Sequence, residues 1–236
     1  QPALTVLVAT TQGLKMHGGV PVEAIKEPNM EGLREGVKNL DRHIRNLQGF
    51  GQTVVVCFNR FAADTDEEIA FCREHCAEMG IGFAVNNAFN EGGAGAEELA
   101  HLVVDTIENK PSAPLQFAYT DEQSIEDKAK AVVQKVYGGK GVTFTPAAKK
   151  MLQKIEELGL SHYPICIAKT QFSFSADQKA YGVPEGFNIA IRDVVINQGS
   201  EFIVLIAGEI LRMPGLPKVP QAEKIDIVNG EIEGLS

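Results

Sequence analysis

Residues 53–65 read Thr-Val-Val-Val-Cys-Phe-Asn-Arg-Phe-Ala-Ala-Asp-Thr, and the fold follows from this stretch. Val54 to Phe58 is an unbroken apolar run, short enough for a strand and suited to one covered on both faces. The run ends in Asn59-Arg60-Phe61, two polar side chains and an aromatic where a strand leaves its sheet. Asp64 or Thr65 then caps a helix, and Thr65 and Glu68 have the spacing of a capping box. In open α/β sheets ligands bind just beyond the carboxyl ends of the strands. A second strand end repeats the arrangement, with Gly82 to Ala88 running into Phe89-Asn90-Glu91-Gly92-Gly93. Phe61 and Phe89 are therefore either core plugs or, at two strand tips, a pair able to hold a flat ligand. Asp64 is either a helix cap or a polar contact beside them.

Outward from this unit, strands and helices alternate. Leu4 to Ala9 reads as a buried parallel strand opening into a polar, glycine-rich segment, Thr10 to Gly19. Asn29 can cap a helix reaching about Phe50, because Met30, Leu33, Val37, Leu40, Ile44 and Leu47 recur at three- and four-residue spacing. A helix with Ile69, Cys72, Cys76 and Met79 on one face ends at Gly80, and one from the Gly92–Gly95 segment to about Asn109 buries Leu99, Leu102, Val103 and Ile107. The alternation implies a parallel sheet flanked by helices. The two prolines between Lys110 and Pro114 mark a boundary. Beyond it come a helix capped by Ser124 and stopped at Gly138-Gly139, and another from Thr145-Pro146 to Leu158. Strands over 163–168, 187–196 and 201–207 follow, with a long polar loop over 169–186, a proline-stiffened loop over 213–220 and a terminal hairpin through Ile225–Ile227 and Ile232.

The chain of 236 residues has a net charge of -9, which excludes general nucleic-acid binding because phosphate neutralisation needs a basic face. No apolar run approaches the roughly 20 residues that span a bilayer. The four cysteines, Cys57, Cys72, Cys76 and Cys166, read as reduced core thiols of a cytoplasmic protein. Cys72, His75 and Cys76 do not read as a zinc site, since both cysteines lie on the apolar stripe and no second ligand pair exists. Gln1 stands where a start Met would, and a strand begins at once, so the chain reads as a fragment whose missing part lies upstream. No G-x-x-x-x-G-K-[ST] loop is present. Gly18-Gly19 and Gly92-Gly93 follow strands and are either tight turns or places where backbone approaches a phosphate. His17 lies beside the first pair, flanked by Lys15, and is either structural or a direct participant.

Several segments together resemble the formate–tetrahydrofolate ligases. They are Val8-Ala9-Thr10 with Leu14-Lys-Met-His-Gly-Gly19, Asn59-Arg-Phe61 with Asp64-Thr65, Phe89-Asn-Glu-Gly-Gly93, Ala168-Lys-Thr-Gln171 with Phe172-Ser173, and Met213 to Pro220. They occur in the family's order, and the match covers the carboxyl-terminal part of the family enzyme. The resemblance implies an α/β fold, with part of a parallel-sheet, nucleotide-hydrolase-like domain followed by a smaller mixed α/β domain. Residues 1–112 would carry the folate-site loops and residues 113–236 the smaller domain. It implies the ATP-dependent ligation of formate to tetrahydrofolate through formyl phosphate, with ATP and Mg2+, tetrahydrofolate as substrate and a monovalent cation as a further candidate.

By the same resemblance the catalytic groups, including the phosphate-binding loop, lie upstream of Gln1. This chain would supply the folate pocket, with Phe61 and Phe89 stacking on the pterin, Ala62 and Val85 lining the slot, and Asn59 and Asp64 as polar contacts. Lys15, His17, Gly18 and Gly19 would approach the phosphate region. Partners would be the amino-terminal portion of the same protein and further copies in a homotetramer. Many members carry Trp at the position of Phe89, Pro at that of Ala62, and Val-Arg-Ala where Thr11-Gln12-Gly13 stand here. The lost arginine favours the alternative reading, a non-catalytic folate-binding or assembly module.

Overall fold

In the computed structural model, residues 1–208, 210, 218–228 and 231–234 are described. Three parallel strands form the first sheet in the order β1 (Thr5–Ala9), β2 (Val54–Asn59), β3 (Gly82–Asn86). β2 is central, and Val54 to Phe58 are all buried, as its uninterrupted apolar run requires. α2 (Met30–Gly49) runs between β1 and β2, capped by the Asn29 side chain, which accepts from the Gly32 N–H. Its stripe packs Leu33, Val37, Leu40 and Ile44 onto Val54, Val56 and Phe58. α3 (Asp66–Glu78) follows β2 and opens with the complete Thr65–Glu68 capping box.

Several expectations are corrected. Thr10 to Gly19 is not an open polar segment, because Thr11–His17 form a helix, α1. The Thr10 side chain accepts from the Gly13 N–H, and that cap starts a helix despite the internal glycine. β1 is not fully buried, since it forms one edge of the sheet and leaves Val6 and Val8 exposed. β3 stops at Asn86, and Ala88–Glu91 form a one-turn helix, α4. α5 (Glu97–Asn109) has no fully buried residue, with Leu99, Leu102 and Val103 half-buried and Ile107 exposed. It packs on the β3 edge, where one sheet flank cannot cover its whole apolar side.

Ser112 ties the connecting segment to the base of this sheet, donating from its N–H to the Ala3 carbonyl and accepting from the Thr53 N–H. α6 (Ile125–Val132) follows and ends in a wide turn over Val133–Tyr137. Then come β4 (Gly141–Phe144), α7 (Pro146–Glu157), β5 (Ile165–Ala168), β6 (Asn188–Asn197) and β7 (Phe202–Ala207). β4 had no counterpart in the sequence reading, and its four residues are only half covered or exposed. The second sheet has the order β4-β6-β7-β5, with β6 and β7 antiparallel and both outer strands parallel to their neighbours. Ala129 of α6 and Val133 of the turn after it, with Ala148 and Ile155 from α7, cover Ile189, Ile191, Ile203 and Leu205. The terminal hairpin is present as β8 (Asp226–Val228) and β9 (Glu231–Glu233). The segment 213–220 lies largely outside the described residues. Three thiols are buried, whereas Cys166 is exposed, against the expectation of four core thiols. No described helix is long and apolar enough to cross a membrane.

α1 and α2 cross with their backbones in contact. A Cβ at Gly36 would stand 1.8 Å from the Leu14 carbonyl oxygen, and one at Gly18 would stand 1.8 Å from that of Gly32. Backbone oxygens cannot step aside as side chains do, so this crossing demands glycine. Gly36→Ala is expected to cost about 3 kcal/mol. Gly49→Ala, in open space at the end of the same helix, should be neutral or stabilise by up to about 1 kcal/mol. Urea unfolding of the two variants measures the contrast.

Candidate functional site

The carboxyl ends of β1, β2 and β3 lie side by side, with Asn59 opposite Asn86 in the parallel register. The Asn86 Nδ2 donates to Asn59 Oδ1 at 2.8 Å, and the Arg60 N–H donates to the Asn86 carbonyl at 3.1 Å. This ties the exit of β2 to that of β3. Asn59 Nδ2 keeps its hydrogens without an acceptor among the described residues, so it can read a ligand edge.

Phe61 lies two residues beyond Asn59, and Phe89 three beyond Asn86. Neither ring is a core plug, with Phe61 44% and Phe89 83% exposed. Asp64 holds the first loop. It is buried, accepts from the Phe61 N–H at 2.8 Å, and also accepts from the Thr11 hydroxyl of α1. It is thus a loop-closing carboxylate, and Thr65 is the helix cap. Ala62 is exposed on this loop, and Val85 is half-buried with its N–H on Glu98 Oε2. The Phe89 loop is closed by its own polar groups, with Asn87 Nδ2 on Glu91 Oε1 and Asn90 Nδ2 on Asn87 Oδ1. These bonds fix the turn from which Phe89 projects.

Lys15 is placed differently from the position the resemblance implied. It is 1% exposed, and its ammonium donates to Glu68 Oε1 at 3.0 Å and to the Glu27 carbonyl at 2.8 Å. Glu68, fully buried, also accepts from the Asn29 and Thr65 N–H groups. Burial alone would raise its pKa. The hydrogen bonds from Lys15, Asn29 and Thr65 together outweigh that and hold the carboxyl below its usual range. Lys15 is therefore consumed by the scaffold. Gly18 is packed against Gly32, while Gly19 is exposed at φ +86 with free space around it. His17 is half-buried, its imidazole pKa pushed down by burial, and its Nδ1 accepts from the Gly182 N–H at 3.1 Å.

Sequence reasoning missed Thr11, Glu68 and Asn86 as parts of this arrangement. A signal existed for the last, a polar residue closing β3 in line with Asn59. No group of three or more metal-ligating side chains occurs among the described residues.

The formate–tetrahydrofolate ligase family profile matches residues 1–236. The chain belongs to that family. It is 63% identical to a formate–tetrahydrofolate ligase of Bacteroides fragilis, 62% to one of Bacteroides thetaiotaomicron and 56% to one of Porphyromonas gingivalis. These alignments take in all of this chain but only 42% of each of those proteins, so the chain spans well under half of their length.

The Lys15–Glu68 pair has a testable signature. Removing one partner of a buried pair leaves an uncompensated charge, so Glu68→Gln is expected to cost about 3–5 kcal/mol at neutral pH. Lys15→Met with Glu68→Leu should cost markedly less. A depressed carboxylate pKa contributes stability that is present above the unfolded value near 4.5 and is lost as pH falls through the folded value. Unfolding free energy against pH should therefore drop on the acid side in the parent protein and be flatter there in Glu68→Gln.

Proposed function

We propose that this chain forms the folate-binding part of an ATP-dependent ligase that joins formate to tetrahydrofolate. The reading is supported by the family match along the whole chain, together with two solvent-facing phenyl groups on loops leaving hydrogen-bonded neighbouring strands. A pterin is flat and apolar on its faces, with hydrogen-bonding groups around its rim. Phe61 and Phe89 supply the faces, each ring contributing roughly 0.5–1.5 kcal/mol beyond area burial. Asn59, through its free Nδ2, addresses the rim, and Ala62 and Val85 border the slot.

Asp64 acts in this reading as a positioning residue, because its carboxylate is spent on Phe61 N–H and Thr11. Holding the folate in one orientation turns its attack on an activated formyl group into an effectively unimolecular step. ATP with Mg2+ would activate formate as formyl phosphate. The groups that bind the nucleotide and formate would come from other parts of the protein, and a monovalent cation would belong with them. Lys15 and Gly18 shape the scaffold beneath this site, whereas Gly19 and His17 border its α1 side. The functional unit would be a cytoplasmic homo-oligomer.

The test is tetrahydrofolate binding to the intact protein. Phe61→Ala and Phe89→Ala should each weaken it by about 10- to 100-fold, from lost stacking and lost apolar burial. ATP affinity should move by less than about twofold. Phe89→Trp, with its larger face, should bind at least as tightly as the parent. Unchanged folate affinity in both alanine variants would overturn the assignment.

A further inference from the structure

A second cavity lies away from the two phenyl groups, between the first sheet's helices and the loop over 169–186. It holds about 410 Å3 and is bordered by His17, Asn39, His43, Tyr137, Lys169 and Thr170, among others. None of Asn59, Phe61, Ala62, Asp64, Val85 or Phe89 borders it. The loop is strapped across α1 and α2, with Asn39 Nδ2 donating to the Gly182 carbonyl at 2.7 Å and Tyr181 standing edge-on to His17.

Among the described residues no aspartate or glutamate lines this cavity, in a chain whose net charge is -9. Of the acids on the flanking elements, Glu35 pairs with Lys38, and Glu31 and Glu185 do not border the cavity. Asp41 of α2 faces His75 and Arg45, and Asp177 accepts from the Lys179 N–H. Half-buried Lys169 has no carboxylate partner among the described residues. Its ammonium lies 4.8 Å from the Tyr137 ring and donates to two carbonyls, those of Thr170 and Ser173, which leaves one N–H unspent. Because His17 Nδ1 accepts, its proton sits on Nε2, which has no acceptor among the described residues. The two nitrogens of His43 have no hydrogen-bond partner among the described residues, its ring contact being Phe174 at 4.7 Å.

We propose that this cleft is an oxyanion-binding site, in which Lys169, His17 and His43 receive a carboxylate or phosphate group of a ligand. A loop staple alone would need the lysine and its two carbonyls. It would not need two imidazoles with unspent nitrogens around a cavity free of acids. The local field agrees. Burial pushes the Lys169 ammonium down to about 8, and His43 is lowered by burial and then by the positive charges of His17, Lys169 and Arg42. An anion would relieve both. The site goes beyond the folate-stacking assignment, and each is tested separately, since none of the residues assigned to contact the pterin, Asn59, Phe61, Ala62, Val85 and Phe89, borders this cavity.

Titration of the protein with inorganic phosphate and, separately, with glutarate tests the proposal, read by calorimetry and by the imidazole NMR signals of His17 and His43. Saturable binding that moves both sets of signals is expected. Tighter phosphate binding would assign a phosphoryl source, and tighter glutarate binding a carboxylate source. Lys169→Met should weaken the better probe about tenfold or more, Lys169→Arg should keep it within a few-fold, and Lys179→Met should leave it unchanged. Failure of both probes to saturate the parent protein by about 10 mM would overturn the proposal, whatever the variants do. Binding retained within twofold in a folded Lys169→Met protein would overturn it as well.

Discussion

Glu68 is the point on which the upper edge of the first sheet depends. One carboxylate joins three separate pieces of chain, Lys15 on α1, the Asn29 N–H at the start of α2, and Thr65 at the start of α3. Buried without these donors it would be strongly destabilising, and with them it fixes where three helices meet the sheet. Asp64, four residues earlier, repeats the device on a smaller scale by bonding α1 through Thr11 and the strand exit through the Phe61 N–H. The loop that presents Phe61 is therefore anchored to the same helix ends as the core, and its ring position is inherited from the scaffold.

The glycine crossing of α1 and α2 makes this geometry possible. Gly18, Gly32 and Gly36 remove the side chains that would separate the two helices, so Lys15 can reach Glu68 under α2's first turn. On the outer side of the same crossing, Asn39 donates to the Gly182 carbonyl and His17 accepts from the Gly182 N–H, which holds the loop leading to the second sheet. Tight packing on one side thus sets both the position of the strand-end site and the width of the cleft between the sheets.

The sequence was legible where one physical requirement dominated. The apolar run at 54–58 allowed only a doubly covered strand, the stripe from Met30 to Leu47 only an amphipathic helix, and Thr65 with Glu68 only a helix start. It misled where two requirements competed. Gly13 and the polar residues around it argued for a loop, but the Thr10 cap and the buried faces of Leu14 and Lys15 made a helix. β1 carries the composition of a covered strand and occupies an edge, a difference of tertiary neighbours that local pattern does not encode. β4 is short and half exposed, and its pairing with β6 is a long-range event. Lys15 was invisible as a core residue because a lysine's burial depends wholly on a partner 53 positions away.

The same accounting explains how charge is distributed around the strand ends. In this acidic chain Asp64 and Glu68 are satisfied internally, so neither presents a free carboxylate beside Phe61 and Asn59. The cleft beneath the 169–186 loop is bordered by a lysine and two imidazoles and, among the described residues, by no acid. Stacking on phenyl faces responds weakly to ionic strength, whereas attraction between an ammonium and an anion is screened within about a Debye length unless it is partly buried. Lys169 is partly buried, with its ammonium over the Tyr137 ring, so its field is retained. In the two assignments proposed above, a stacking face for planar groups is thus separate from a cationic recess for charged ones, and each would draw its selectivity from a different physical force.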